Sequence, residues 1–178
     1  TKVMPILYGI EGSGKSILAE QLLKKIVGMN RMIVTCKSKQ LFGQFANLSE
    51  KLLVVFNEAN AKDTYRYSED IKDSITQDTT SVEKKGVDVD NGHTSYSNFI
   101  ATTNNVNSFK ITSSCRRTIA VEVDSSIANN KSYFDDLYRD LNDESIIRKF
   151  YQELKNRDIT NFDCINDRPR TELTDDIK

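Results

Sequence analysis

Eight residues near the start of the chain have the types and spacing needed to hold a phosphate. Gly9-Ile10-Glu11-Gly12-Ser13-Gly14-Lys15-Ser16 matches G-x-x-x-x-G-K-[ST] at every fixed position. Glycines let successive backbone N–H groups turn inward around an anion. The lysine of this motif reaches the β- and γ-phosphates, and the hydroxyl that follows binds Mg²⁺. We therefore expect a nucleotide site built from Gly9, Glu11, Gly12, Ser13, Gly14, Lys15, Ser16 and Ile17.

The residues on either side of this loop predict the strand and helix that it requires. Met4-Pro5-Ile6-Leu7-Tyr8 is short and apolar, as expected of a buried strand. After the loop, apolar residues keep helical spacing up to Gly28, a natural helix stop. The helix N-terminus adds its dipole to anion binding.

A second candidate for chemistry follows the most apolar run of the chain, Leu52 to Phe56. Such a run is typical of a parallel strand covered on both faces, and it ends in Asn57-Glu58. Ligands in α/β sheets bind beyond the carboxyl ends of the strands, so Glu58 stands where a Walker B acid activates the attacking water. Asn57 occupies the place of an aspartate that commonly helps to hold Mg²⁺, and its amide adds no negative charge. The alternative is that both residues merely open a polar loop.

Two further polar groups adjoin predicted strands. The strand from Asn98 ends in Asn104-Asn105, where an amide could position water or sense the γ-phosphate, or could simply form a turn. Arg116 and Arg117 precede a β-branched strand at 118–123. They are either surface charge or an arginine finger for phosphoryl transfer.

The middle of the chain predicts two helices followed by a hairpin. A helix at 41–48 would pack two phenylalanines, and a short helix at 69–76 would place Ile71 and Ile75 on one face. The segment 79–89 suits a hairpin with a basic tip, Lys84-Lys85-Gly86. This pair of lysines is either a solvated turn or a contact to DNA.

The C-terminal part predicts two helices. Their apolar faces carry several aromatic residues, which we expect in the core, with Asn142 or Asp143 as the N-cap of the second helix. From Lys155 onward the chain is polar and predicts a loop or a poorly ordered terminus.

Composition narrows the class of protein. The 178 residues suit one domain with a core, and 29% charged residues with a net charge of −1 argue against a surface coated for wrapping nucleic acid. No segment has transmembrane length and no signal-peptide pattern is present.

The cysteines and the histidine limit the possible chemistry. Cys36, Cys115 and Cys164 lack metal-ligand spacing and predict free thiols in a reducing, intracellular compartment. His93 is the only histidine, which argues against His-based metal or triad chemistry. The chain also begins on a non-Met residue at a strand, and we expect a fragment of a longer protein.

The order of these motifs resembles the superfamily 3 helicases, AAA+-related hexameric motors of DNA viruses, phages and plasmids. More closely it resembles the helicase domain of viral and phage-type primase–helicases, of the poxvirus-like subgroup. The likeness extends to the tail, with Phe150-Tyr151-Gln152-Glu153-Leu154, Asn156-Arg157-Asp158-Ile159 and Arg168-Pro169-Arg170-Thr171-Glu172.

The resemblance implies a role for each motif. Lys15 and Ser16 would hold ATP and Mg²⁺, Glu58 would activate water, and Asn104 would be the polar sensor. One of Arg116 and Arg117 would reach the ATP of a neighbouring subunit, and Lys85, with Lys84 beside it, would contact DNA. Gly86 stands where the family often has histidine, and Asn57 departs from its commoner acid.

We therefore predict an α/β P-loop NTPase of the AAA+-like, three-layer type, with a mostly parallel central sheet and a C-terminal helical segment. Residues 1–125 would form the ATPase core and 126–178 the helices and polar tail of the same domain. The expected function is ATP-driven translocation on single-stranded or forked DNA by a homo-hexamer, in the host cytoplasm or nucleus if viral. A primase domain in the same parent chain and no membrane association are expected. The alternatives are a loader, switch or packaging ATPase, and a non-catalytic nucleotide-binding ring module.

Overall fold

The computed structural model describes residues 3–42, 48, 50–58, 61–82, 90–109, 116–163 and 171. Within them, seven strands form in chain order: β1 Met4–Tyr8, β2 Met32–Thr35, β3 Leu53–Phe56, β4 Thr79–Val82, β5 Asp90–Thr94, β6 Asn98–Thr103 and β7 Thr118–Glu122. Five of these form one parallel sheet in the order β2-β3-β6-β1-β7. Because every strand of this sheet runs the same way, the residues that follow them meet at one edge. The parallel α/β sheet predicted from the sequence is confirmed.

Helices connect the strands. The phosphate loop leads into a π-helical segment, Ile17–Leu22, which continues as α1, Leu23–Val27, and ends at Gly28 as predicted. The later helices are α2 Lys39–Phe42, α3 Ala61–Arg66, α4 Ser68–Thr76, α5 Lys131–Asn142 and α6 Glu144–Asn156. None of the helices in the described part of the chain is long and apolar enough to cross a membrane.

Alternate residues of the strands supply two separate cores. Met4, Ile6 and Phe56 are buried on one face, in a cluster that includes Ile71 and Ile75 of α4. These two isoleucines are 4% and 2% exposed, so each contributes about 1.5–3 kcal/mol of apolar burial. The opposite face is covered by the helix that follows the phosphate loop. The buried members of this second cluster are Leu7, Ala19, Met32, Leu53, Val55 and Ile100. The sheet is thus covered on both sides, which gives the three predicted layers.

A two-stranded antiparallel hairpin, β4 with β5, lies in the connection between β3 and β6. The predicted hairpin is confirmed in its described strands, whereas its predicted tip and the two valines after it, in the segment 83–89, lie outside the described residues. Three residues, 95–97, join the hairpin to β6. Ser97 is buried, and its hydroxyl is 3.1 Å from the Leu48 carbonyl and 2.8 Å from that of Lys51.

The prediction that the C-terminal aromatics are core residues is wrong for most of them. The two helices form, and Asp143 caps the second, its carboxylate accepting a hydrogen bond from the Ser145 N–H at 2.8 Å. However, only Leu141 is buried in this pair of helices. Tyr133, Tyr138, Phe150, Tyr151 and Leu154 are 39–46% exposed. The helical period was correct, but it identifies an apolar face and not what covers that face.

Smaller differences concern the connections. Residues 61–66 form α3, for which no helix was predicted, and α4 begins at Ser68, one residue before the helix predicted at 69–76. The helix predicted at 41–48 begins at Lys39 in the structure, and residues 43–47 lie outside the described residues. Cys36 is an exposed free thiol, while Cys115 and Cys164 lie outside the described residues.

Candidate active site

A cleft of about 480 Å³ opens at the carboxyl edge of the sheet, where β1, β3 and β6 end. It is lined by Glu11, Gly12, Ser13, Gly14, Lys15, Ser16, Ile17, Glu58, Thr102, Asn104, Phe134 and Tyr138. The cleft thus brings together three predicted elements that are far apart in sequence: the phosphate loop, the residue after β3 and the residue after β6. The remaining loop residue, Gly9, contributes its carbonyl to the lysine of the loop.

Lys15 is held within the loop that it belongs to. It is 8% exposed, and its ammonium donates to the carbonyls of Gly9 at 2.8 Å and Ile10 at 2.7 Å, and to the Ser13 hydroxyl at 3.3 Å. Burial lowers the pKa of the Lys15 ammonium, and the charges of Glu11 and Glu58 partly offset that effect. The loop therefore positions one cation at the floor of the cleft.

Two loop glycines adopt backbone conformations that other residues rarely adopt. Gly12 and Gly14 have φ of +76° and +89°. A Cβ on Gly12 would collide with the Asn129 side chain, and one on Gly14 would lie 3.2 Å from the Phe134 ring. The backbone N–H of Asn129 also donates to the Gly12 carbonyl at 3.2 Å. The turn before α5 and the helix itself therefore pack directly on the loop, which requires glycine at both positions.

Ser16, Asn57 and Thr102 form a hydrogen-bonded line across three elements. The Ser16 hydroxyl is 3.4 Å from the Asn57 amide oxygen, and the Thr102 hydroxyl donates to the same oxygen at 2.7 Å. Thr102 is 1% exposed and lies on β6, next to β1. Sequence analysis missed Thr102 because a threonine inside an apolar strand has an ordinary β-propensity explanation. Its position two residues before Asn104 was the only available signal.

Glu58 reaches the cleft through a strained backbone. Its φ is +50°, in the left-handed region that costs a non-glycine residue about 1–2 kcal/mol. Its backbone N–H points to the Thr102 hydroxyl at 3.4 Å, and its side chain is exposed in the cleft. Strain of this kind concentrates at functional sites, where the surrounding structure maintains it.

The two asparagines after β6 have different environments. Asn104 is exposed and lines the cleft, whereas the Asn105 side chain accepts from the Asn107 N–H at 2.9 Å and caps a short 3₁₀ turn. Asn105 thus forms the turn that one interpretation expected, while Asn104 lies in the cleft and its role as a sensor stays a prediction.

Glu20 is a further carboxylate near the loop, beside Glu11 and Glu58, and sequence analysis did not select it. It lies in the π-helical segment, one turn after Ser16. Burial raises the pKa of the Glu20 carboxyl, a hydrogen bond with Ser16 lowers it, the charge of Glu58 raises it, and Lys24 lowers it. Of the side chains that the structure describes, Glu20 alone has a buried polar atom, Oε1, with no hydrogen-bond partner.

Aromatic rings form the wall opposite the loop. Phe134 and Tyr138, four residues apart on α5, both line the cleft, and Tyr138 is 40% exposed. Rings in such a position offer a flat apolar surface to a nucleotide base. Their helical spacing indicated a buried face, so their position in the cleft could not be inferred from sequence.

The arginine pair lies at the opposite edge of the sheet. Arg116 is exposed and Arg117 half-buried, and the Arg117 carbonyl accepts from the Met4 N–H at 2.8 Å. Because β7 pairs with β1 in parallel register from Met4 onward, these residues lie about one strand length, roughly 16 Å, from the loop. Lys84 and Lys85 lie outside the described residues, in the segment that joins β4 to β5.

The oxygen atoms at the loop suit Mg²⁺ but do not enclose it. Ser16, Asn57 and Glu58 supply a hydroxyl, an amide oxygen and a carboxylate, which are hard donors. No group of three or more His, Cys, Asp or Glu side chains with metal-site geometry occurs among the described residues. This is the donor set expected for an ion held mainly by substrate phosphates and water, since Mg²⁺ usually takes only one or two protein ligands there.

The sheet order, the phosphate loop and the acid after β3 define an α/β P-loop NTPase-like fold. Solved structures share this fold. The C-terminal region of NrS-1 matches with a TM-score of 0.78 and 24% identity over 98% of this chain and 41% of that one. A second NrS-1 structure matches with a TM-score of 0.55 and 30% identity over 70% of this chain and 29% of that one. A structure of JCV helicase matches with a TM-score of 0.52 and 13% identity over 91% of this chain and 47% of that one. This chain thus spans less than half of each.

A family model described as "Family of unknown function (DUF5906)" matches residues 7–117, and the chain belongs to that family. The match begins within β1 and ends at the arginine pair, so it includes the whole cleft except the aromatic wall. No curated protein matches the chain.

Proposed function

We propose that this chain is the ATP-hydrolysing motor domain of a superfamily 3 DNA helicase, of the viral and phage-type primase–helicases and their poxvirus-like subgroup. The observation that carries the proposal is the convergence of Lys15, Glu58 and Asn104 on one cleft. A phosphate-binding cation, a carboxylate and an amide are the groups that hydrolysis of a phosphoanhydride requires. The parent protein would also carry a primase domain.

In this mechanism the chain contributes mainly charge and orientation. Lys15 and the loop N–H groups would bind the β- and γ-phosphates, while Phe134 and Tyr138 would flank the base. Bound Mg²⁺, held by Ser16 and Asn57 with Glu58 nearby, would neutralise charge on the phosphates. Glu58 would accept a proton from the attacking water, and Asn104 would orient that water.

Completion of the site would require a neighbouring copy. Since Arg116 and Arg117 are about a strand length from their own phosphate loop, they cannot stabilise phosphoryl charge there. One of them would act on the nucleotide of the next subunit in a homo-hexameric ring, as an arginine finger does.

The motor would act on single-stranded DNA through the β4–β5 hairpin. Lys84 and Lys85, in the segment between its strands, would contact the phosphate backbone, which is sequence-tolerant and salt-sensitive. Lys85→Ala should retain basal ATPase activity and lose strand displacement, whereas Lys155→Ala at the end of α6 should keep both. Strand displacement at the wild-type rate by the Lys85 variant would remove the hairpin from the mechanism.

The decisive test of the whole proposal is ATP turnover of Lys15→Ala. Loss of the only loop ammonium should reduce turnover to background, and nucleotide affinity should fall with it. Lys25→Ala, on the exposed part of α1, is the matched charge control and should behave like the wild type. Turnover by the Lys15 variant at the wild-type rate would refute the proposal.

Asn57 favours one second candidate, a nucleotide-binding ring module that does not hydrolyse ATP. Here an amide replaces the acid that commonly helps to hold the metal, so the site has one negative charge fewer. A wild-type protein that binds ATP but produces no ADP, alone and with single-stranded DNA, would establish this candidate instead.

A further inference from the structure

Glu20 presents an unsatisfied carboxylate oxygen beside the proposed metal site. Its Oε1 is buried and, within the described residues, has no hydrogen-bond partner. An unpaired buried polar atom destabilises a fold, and more so when it is charged. A bound ion or water that satisfies the atom is one explanation for its presence.

The surroundings of Glu20 indicate what that partner is. The Ser16 hydroxyl is its hydrogen-bonding neighbour, and the Glu58 charge acts on it. The same hydroxyl lies 3.4 Å from the Asn57 amide oxygen. The charges of Glu20 and Glu58 repel each other. Lys15 acts on Glu58, and Lys24 acts on Glu20 from the exposed side of the helix. A divalent cation between the two carboxylates would relieve the repulsion that remains.

The position of Glu20 also suits a negative charge that the proposed metal site lacks at Asn57. An aspartate there would give the metal site a negative charge, and asparagine does not. Glu20 is placed to supply it because the helix carries it one turn beyond Ser16, on the segment that contacts β6. Hydrogen bonds from metal-bound water to carboxylates outside the first coordination sphere tune metal affinity by about 10–100-fold.

We propose that Glu20 is part of the nucleotide-metal site: its free oxygen accepts a hydrogen bond from water bound to the divalent cation and supplies the charge that Asn57 lacks. This inference rests on the proposed function, since it requires a nucleotide phosphate to bring the cation to the loop. Glu20 is a positioning residue here and takes no part in proton transfer.

The test measures metal binding rather than activity. Mn²⁺ affinity is determined by electron paramagnetic resonance on the protein saturated with a non-hydrolysable ATP analogue, and analogue affinity is determined separately in EDTA. Glu20→Gln is isosteric and should weaken Mn²⁺ binding about tenfold. Its analogue affinity in EDTA should stay within twofold of the wild type. Glu153→Gln, on exposed α6, should change neither value.

A compensating variant makes the test specific. Asn57→Asp should restore Mn²⁺ affinity in the Glu20→Gln background, because it returns the missing charge to the same site. Asn57→Asp alone should tighten Mn²⁺ binding, and this measurement stands even if Glu20→Gln does not fold.

Three results would overturn the proposal. They are Mn²⁺ affinity unchanged by Glu20→Gln, an equal loss of analogue affinity in EDTA, and no tightening by Asn57→Asp. A wild-type protein that fails to bind the analogue at all would instead refute the proposed function, and with it this inference. If the wild type binds the analogue and Mn²⁺, and Glu20→Gln changes neither affinity, then only the role of Glu20 is refuted.

Discussion

Replacing Thr102 by valine tests whether the line of hydrogen bonds from Ser16 through Asn57 controls catalysis. Valine has nearly the shape of threonine, so the change removes a hydroxyl from a residue that is 1% exposed and leaves no cavity. The hydroxyl donates to the Asn57 amide oxygen at 2.7 Å, a bond with a net value of about 1–1.5 kcal/mol. It also accepts from the Glu58 N–H at 3.4 Å, a distance at which little more is lost.

We therefore expect the free energy of unfolding to fall by about 1–2 kcal/mol, part of it from leaving the Asn57 oxygen with Ser16 alone. For a domain of this size the corresponding decrease in Tm is roughly 3–6 °C. If the proposed function holds, ATP turnover should fall about tenfold, because about 1.4 kcal/mol of orientation at Asn57, the proposed metal ligand, is then missing from the transition state.

The assay is steady-state ATP hydrolysis, with thermal unfolding measured in parallel. Thr102→Ser is the matched control, since it keeps the hydroxyl and loses only a buried methyl group. The serine variant should lose a similar amount of stability but keep most of its turnover. If the valine and serine variants hydrolyse ATP equally fast, the hydrogen bond to Asn57 does not position a catalytic group, and our reasoning about this line is wrong.

Two further predictions concern backbone strain and pH. Glu58→Gly should raise the free energy of unfolding by about 0.5–1 kcal/mol in denaturant titrations, because glycine relieves the left-handed strain at a smaller entropic cost, yet it should abolish ATP turnover. Glu58→Gln keeps the strain and should lose turnover without the gain, so equal stability of the two variants would contradict this explanation. At the start of α6, hydrogen bonds from Ser145 lower the pKa of the Asp143 carboxyl below its ordinary 3.8. Its stabilising contribution is thus present above pH 3.8 and is lost as the pH falls through the folded-state value. Asp143→Asn should unfold at a lower temperature than the wild type at pH 7 and at the same temperature near pH 2. A constant difference across that range would show that the charge is irrelevant.

The sequence predicted the parallel sheet well because its signals were local. The apolar runs at β1, β3 and β6 bury side chains on both faces, so each was recognisable without its neighbours. The phosphate loop was equally clear, since its glycines meet a backbone requirement that few other sequences share. Glu58 and Asn104 followed from the rule that parallel strands end at one edge.

What the sequence did not predict depends on tertiary contact. Thr102 matters because β6 lies between β1 and β3, an order that no local pattern encodes. Phe134 and Tyr138 lie in the cleft because α5 packs on Gly14, whereas their spacing alone indicates only an apolar face. Glu20 was indistinguishable from a solvated helical glutamate until its oxygen was found buried.

The attachment of the β4–β5 hairpin has a mechanical consequence. The hairpin is inserted between two strands that are neighbours in the sheet, and both of those strands end in the cleft. Its connection to β6 is three residues long and includes the buried, hydrogen-bonded Ser97, so the joint has little slack. If nucleotide binding at Thr102 or Asn104 displaces β6, the short connection would therefore transmit that displacement directly to the base of the hairpin.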